Sequence, residues 1–468
     1  MIPIKADYIF TDSQIEQIRE GALSILDEIG VGVGKPELVE ELARMGFRTD
    51  GKYVKIDRAA ARAKMEAQKA DRPERPKTRR VMVTWTSPYS HTYETIDGAF
   101  EPITTESNLK MGEFAANAAR LWPGLILSCP GHPTDVPPEA QFLRHTVNSF
   151  LRADNFSPME PVSLKTADYH FAVCEAMGRP VKELPVYVAS PLNIAGESFE
   201  IALRYHRRME RIAFNSMPSL GANTPLNLIA AYSQTIAETL GGALIFEALT
   251  GTGTCYGASI FAFDFRDMAM PFGTPEKLLL EWLNMEVQAR VPGGEYYGPD
   301  YTDIHTNAVR CGIQACAEKA SLATAGAVKG AHIFACSGTL GMDELFSPVQ
   351  LLLDLEMLEH IGKITDGMPV DEFESDLIAE VRAGLKSGYI MADRTLDNMD
   401  KYVWQSRFFN RKTFGSYLYK PFPAEIDRAR EMAYVLIRKP AVWRLNDSKA
   451  DEIEAIYAAA LKQLREIG

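Results

Sequence analysis

The sequence predicts an α/β chain: a (β/α)8 TIM-type barrel with an N-terminal α+β cap and a helical C-terminal flank. Three observations predict it. From about residue 106 onward, short apolar runs alternate with longer segments of helical periodicity. The runs are continuously apolar rather than alternating, as strands covered on both faces require. Seven strand–helix units can be counted, and a parallel sheet needs that rhythm because a helix spans each crossover. An eighth unit would close a barrel, whose working residues then sit at the C-terminal strand ends. An open doubly wound sheet is the competing architecture. A prior of about 150 residues per domain would divide the chain into about three, but α/β barrels routinely exceed it.

The reading places the cap at 1–105, the barrel core at 106–367 and the flank that completes the barrel at 368–468. In the cap, Ile15, Ile18, Ala22, Ile25 and Leu26 form a helical stripe, with Asp12 or Ser13 as N-cap and Gly30 as stop. KPELVEELARMG is a second helix ending at Gly46, and RPERPK (72–77) is a connector. VMVTWTS and HTYETID alternate like a hairpin, with Ser87-Pro88 in the turn. The core strands are expected at 125–131, 159–164, 184–190, 211–217, 255–263, 294–300 and 331–338. The eighth strand is SGYIMAD (387–393) or the run near Val81.

Composition narrows the function. Apolar residues make up 46% and charged residues 24%, the mix of a globular enzyme, which excludes a disordered or fibrous chain. A net charge of −12 argues against nucleic acid or an anionic membrane as partner. No apolar run of the length needed to span a bilayer is free of charge, and the N-terminus lacks a basic segment followed by an apolar one. Six cysteines without a CxxC fit a reducing cytoplasm, the expected location.

Four constellations could carry chemistry. Cys129, Cys255 and Cys336, with His132 close to the first, fall at strand ends and could hold zinc; buried cysteines are the plainer alternative. GTGTCYG (251–257) looks like a phosphate loop but precedes a strand, so it reads better as a helix stop. Trp85, Tyr89, Tyr93, Tyr256, Tyr296, Tyr297 and Phe346 offer aromatic faces that attract quaternary ammonium. GPDYTDIHT (298–306) gathers Asp300, Asp303 and His305 in one loop, suited to acid–base work or to capping the next helix. His145, His170, His206 and His360 fall in helical patterns and read as structural, and neither a nucleophile elbow nor HExxH occurs.

Several segments resemble the trimethylamine:corrinoid methyltransferase family in order and spacing. They are SPLNIAGESFEIALRY, FNSMPSLGANTPLNLIAAYSQTIAETLGGALI, GTCYGASIFAFDFRDM, GTPEKLLLEWLNMEVQA, QACAEKASLATAGAVKGAHI and FSPVQLLLDLEML, with LSILDEIGVGV and GYIMADRTLDNM near the ends. The resemblance implies a (β/α)8 barrel that moves a methyl group from an amine to the cobalt of a separate corrinoid protein. The founding type carries pyrrolysine, whereas this chain has only ordinary residues, which implies the non-pyrrolysine type that demethylates quaternary amines such as glycine betaine, proline betaine or carnitine.

That chemistry suits the residues. Departure of a quaternary ammonium yields a neutral amine, so the protein has chiefly to position one N–CH3 bond. It must also avoid gripping the cation more tightly than the transition state, where its charge fades. On this reading Tyr89, Tyr297 and Phe346 contribute the cage, Glu160 and Ser337 complete the substrate contacts, and Asp303 or His305 holds the substrate tail or shapes the site. Met217, Gly221 and Tyr256 would lie near the cobamide, which the partner carries, with no intrinsic metal. The small residues of SLGANTP would allow its close approach. The expected partners are the corrinoid protein and a small methylated amine; a homo-oligomer is compatible with the sequence. Two alternatives stand: a zinc-dependent methyltransferase on the same barrel, and a non-catalytic protein that binds the amine or the corrinoid partner.

Overall fold

The computed structural model describes residues 8–70, 82–291, 301–368 and 376–467. Its first helix, Asp12–Glu28, is capped by Thr11 rather than by Asp12 or Ser13. Gln14 decides this: Thr11 Oγ1 accepts from Gln14 N at 3.2 Å and Gln14 Oε1 accepts from Thr11 N at 2.9 Å, a reciprocal box that only the residue three before Gln14 can form. The helix buries Ile15, Ile18, Ala22, Leu23 and Leu26 against the long helix Leu228–Thr250. The two approach closely because Gly21 faces Ser233; a Cβ there would collide with that side chain.

Seven short strands run parallel within two sheets. In chain order they are β1 Val83–Trp85, β2 Leu125–Ile126, β3 Glu183–Val188, β4 Arg211–Ser216, β5 Thr254–Tyr256, β6 Tyr301–Asp303 and β7 Ile333–Ala335. One sheet has the order β5-β4-β3, the other β6-β7-β1-β2. Helices separate successive strands, at Thr105–Ala119, Gln141–Arg152, Ala167–Ala176, Glu197–Tyr205, Leu228–Thr250, Pro275–Arg290 and Ile313–Lys329, and Pro348–Asp366 follows β7. The protein is therefore mixed α/β with βα alternation.

Four expectations need correction or completion. First, β1 and the strand Thr92–Glu94 do not pair as a hairpin: β1 lies between β7 and β2, while Thr92–Glu94 pairs with Phe100–Pro102 and Leu345–Phe346. Second, β1 is thereby the additional parallel strand; residues 388–392 form a turn leading into the helix Asp393–Tyr402. Third, 159–164 carries no ladder. Fourth, 294–300 lies outside the described residues, and β6 starts just after it at Tyr301.

The largest core cluster joins the first helix and the strand Val31–Val33 to β3, β4 and the Leu228–Thr250 helix through Leu26, Val31, Val186, Phe214, Leu240 and Phe246, all essentially inaccessible. That helix is buried nearly all round, as its apolar composition demands. Gly251 ends it in the left-handed conformation, φ 71, its N–H donating to Glu247 O at 2.8 Å. GTGTCYG is thus a helix stop running into β5.

Candidate functional site

A cavity of about 790 Å³ opens where the parallel strands end. Its wall takes residues from six of the seven strands, Gly257, Ala258 and Ser259 from just beyond β5, and Met159 and Glu160 from the segment between β2 and β3. Aromatic faces dominate one part. Trp85 at the end of β1 and Tyr301 on β6 face each other with ring centroids 5.8 Å apart, and Tyr187, Phe156, Phe261 and Phe272 join them. Tyr89, half exposed, lines the wall and leans on Phe142 at 5.7 Å.

Charge is concentrated on another part. Asp303, on β6, has Oδ2 3.2 Å from Lys277 Nζ, and Oδ1 2.8 Å from His305 Nδ1. The second contact is ionic rather than an aligned hydrogen bond. Lys277 also pairs with Glu281 and lies 4.9 Å from the centre of the Phe261 ring. Burial alone would raise the Asp303 carboxyl, but Lys277 and His305 hold it far below the usual carboxylate range. Burial would lower His305, yet Cys336 and Asp303 outweigh it and raise the imidazole to about 10. Burial also opposes the charge on Lys277, and Asp303 and Glu281 overcome it, leaving the amine above its ordinary value. The Glu281 carboxyl goes up, driven first by burial. Glu160 is likewise raised by burial.

Lys277 and Glu281 were missed in the sequence, although a signal was present. Lys277, Glu281, Asn284 and Gln288 recur at helical spacing along one face of the segment 275–290. In a helix facing solvent such a stripe points outward; here it points at the cavity. Asn284 Nδ2 donates to Ile260 O and its Oδ1 accepts from Ile260 N, both at 3.0 Å; Gln288 Nε2 donates to Ala258 O at 3.1 Å. The helix thereby grips the backbone beyond β5.

The structure brings together Asp303, His305, Glu160, Tyr89 and Met217 on the cavity wall. It places four other candidates elsewhere. Phe346 is inaccessible within an apolar cluster beside Leu351 and Leu352, away from any cage. Ser337 is buried behind the wall, its Oγ 2.6 Å from Thr84 Oγ1. Tyr256 is core, and its carbonyl accepts from Gln68 Nε2 at 3.1 Å. Gly221, at φ 81, is required by its turn, where a Cβ would strike Leu226 and Phe265, and it does not line the cavity. In each case backbone alternation or a turn beyond the strand points the side chain away. Tyr297, Tyr296 and Asp300 lie outside the described residues. His145, read as structural, does reach the wall; its Nδ1 donates to Gly131 O at 2.8 Å, and burial lowers it to about 4.

No three His, Cys, Asp or Glu side chains converge as metal ligands among the described residues. Cys129 is enclosed, and burial pushes its thiol up to about 12. No helix among them is long and apolar enough to cross a membrane.

Fold and site together define an α/β protein with an aromatic chamber at its parallel strand ends. The chain belongs to the trimethylamine methyltransferase family, whose model matches residues 165–465. It is 24% identical over 247 residues to the trimethylamine methyltransferase of Methanosarcina thermophila, covering 52% of this chain and 50% of that one. It is 23% identical over 288 residues to a glycine betaine methyltransferase of Desulfitobacterium hafniense, covering 57% and 59%. The match thus spans about half the length of the first relative and under two thirds of the second. The monomethylamine methyltransferase of Methanosarcina barkeri superposes with a TM-score of 0.46 at 12% identity, covering 98% of this chain and 88% of that one.

Proposed function

We propose that this protein takes a methyl group from a quaternary or tertiary methylamine and delivers it to the cobalt(I) of a separate corrinoid protein. The observation that carries the proposal is the chamber itself: aromatic faces at the parallel strand ends, with the nearby acid Asp303 already paired by cations. Trp85, Tyr301 and Tyr187 would hold the ammonium group by cation–π attraction, worth about 0.5–2 kcal/mol per contact. That pull fades gently as the nitrogen becomes neutral, whereas an unpaired carboxylate against it would hold the ground state too well. Asp303 and His305 would set the far end of the substrate, and Glu160, whose carboxyl burial raises, would take a polar contact. The corrinoid would supply nucleophilic cobalt from the partner; this chain's part is to aim one methyl at the opening and keep water out.

We read the two sheets as arcs of one (β/α)8 barrel, with 159–164 in the place of an eighth strand. A cavity lined from six of the strands, from the residues just past β5 and from that segment supports this. Met217, Leu226, Phe265 and Met268 stand exposed in and beyond the loops after β4 and β5, an apolar rim suited to the corrinoid partner. Phe265→Asp is expected to slow transfer to that partner and spare transfer to free cobalamin.

The decisive experiment is a screen of methylated amines with reduced free cobalamin, following the change from cobalt(I) to methyl-cobalt(III) absorbance. Methyl-cobalt formed with a quaternary or tertiary amine is the expected result. Silence across quaternary and tertiary amines would overturn the reading.

A further inference from the structure

Cys336 follows β7 with a left-handed backbone, φ 70, which a non-glycine residue keeps only when its surroundings impose it. Here they do. Lys319 Nζ donates to Cys336 O at 3.4 Å and pairs with Asp354 Oδ2 at 2.7 Å, and the same oxygen accepts from Gly338 N at 2.7 Å. The turn sets Cys336 on the same cavity wall as His305, whose imidazole charge it favours. Asp303 Oδ1 lies 2.8 Å from Nδ1 of that imidazole. The parallel register opposes Asp303 to Ala335, and Ile304 N donates to Ala335 O at 3.1 Å, so the two segments leave their strands side by side. Thiol, imidazole and carboxylate thus gather at the ends of two neighbouring strands, the group types that together activate a sulfur nucleophile.

We propose that Cys336, served by His305 and Asp303, is a nucleophilic thiol of the chamber that accepts alkyl groups from small cationic electrophiles. In the step, Cys336 Sγ attacks the carbon bearing the leaving group. That bond breaks, its electron pair departs with the leaving group, a thioether forms, and the thiol proton rests on His305. With an onium methyl as donor the leaving group is a neutral amine. The acceptor is then the chain itself, which goes beyond transfer to cobalt. The groups facing the pair are Asp303, with Lys277 and Glu281 beyond it, Lys319 and Asp354 behind the Cys336 carbonyl, and Asp343 on the same wall. Cys129, Cys174 and Cys255 are buried and outside the cavity wall; Cys316 is exposed and serves as internal reference.

The test treats the full chain with (2-bromoethyl)trimethylammonium and follows each cysteine by peptide mass mapping. Cys336 is expected to react on the order of a hundredfold faster than Cys316, and His305→Gln to remove that advantage without changing Cys316. Excess tetramethylammonium is expected to protect Cys336 alone, a measure that needs no variant. Equal rates at the two cysteines, indifference to His305→Gln in a folded variant, or no protection would each overturn the proposal. No corrinoid is involved, so a failed cobalt(I) screen and a failed alkylation remain separate results.

Discussion

Lys277 and Lys319 lie on consecutive helices, both fully buried and both paired with a carboxylate, yet they serve different ends. Lys319 and Asp354 are sealed. Asp354 accepts from Lys319, Gly338 N and Gln350, and the network holds the turn after β7. Lys277 meets Asp303, whose other oxygen faces His305 on the cavity wall. Burial and ion pairing are nearly the same in the two; access to the chamber is not. The comparison teaches that a buried lysine–carboxylate pair marks a reactive site only when one member opens onto space a ligand can occupy.

The comparison can be broken by mutation. Asp354→Ala leaves Lys319 buried and unpaired, so it should cost about 3–5 kcal/mol of stability, read by urea denaturation. Asp303→Asn keeps shape and leaves the rest of the wall intact; it should cost less stability but slow methyl transfer to free cobalamin about a hundredfold through misplaced substrate. Equal losses of stability and rate in the two variants would erase the distinction.

A pH series sharpens it. His305 is raised to about 10 from its ordinary 6.5. Its stabilising contribution is therefore complete below 6.5 and is lost as pH rises toward 10. Denaturation midpoints should decline through that window, and His305→Gln should flatten the decline. A flat wild-type profile would remove the charged His305 from the site. The smallest expected effect lies on the aromatic side: Trp85→Ala should weaken binding of the amine found in the screen by about 0.5–2 kcal/mol, read by calorimetry, with little change in fold.

Much of this was legible in the sequence for local reasons. The core helices have long apolar stripes of helical period, and 3.6-residue spacing needs no distant partner to be recognised. Asp303 and His305 could be singled out because they follow a strand in a polar loop. The partners of β1 could not be. The alternation across 83–94 suits a hairpin as well as a strand inserted between β7 and β2, and only distant pairing chooses between them. Phe346 and Ser337 misled for a related reason: the left-handed turn at Cys336 redirects the chain, so that Ser337 meets Thr84 and Phe346 packs beside Leu351. The polar stripe on Pro275–Arg290 was visible but silent, because which face of a helix looks inward depends on its neighbours.

What the sequence determined alone is the alternation of strand and helix and the family, because both reside in local periodicity and in the order of segments. What tertiary structure decided is the chamber: which side chains share its wall, which carboxylates are already paired, and which cysteine stands beside a histidine. Those depend on contacts between residues far apart in the chain, whose distances no spacing along the sequence contains.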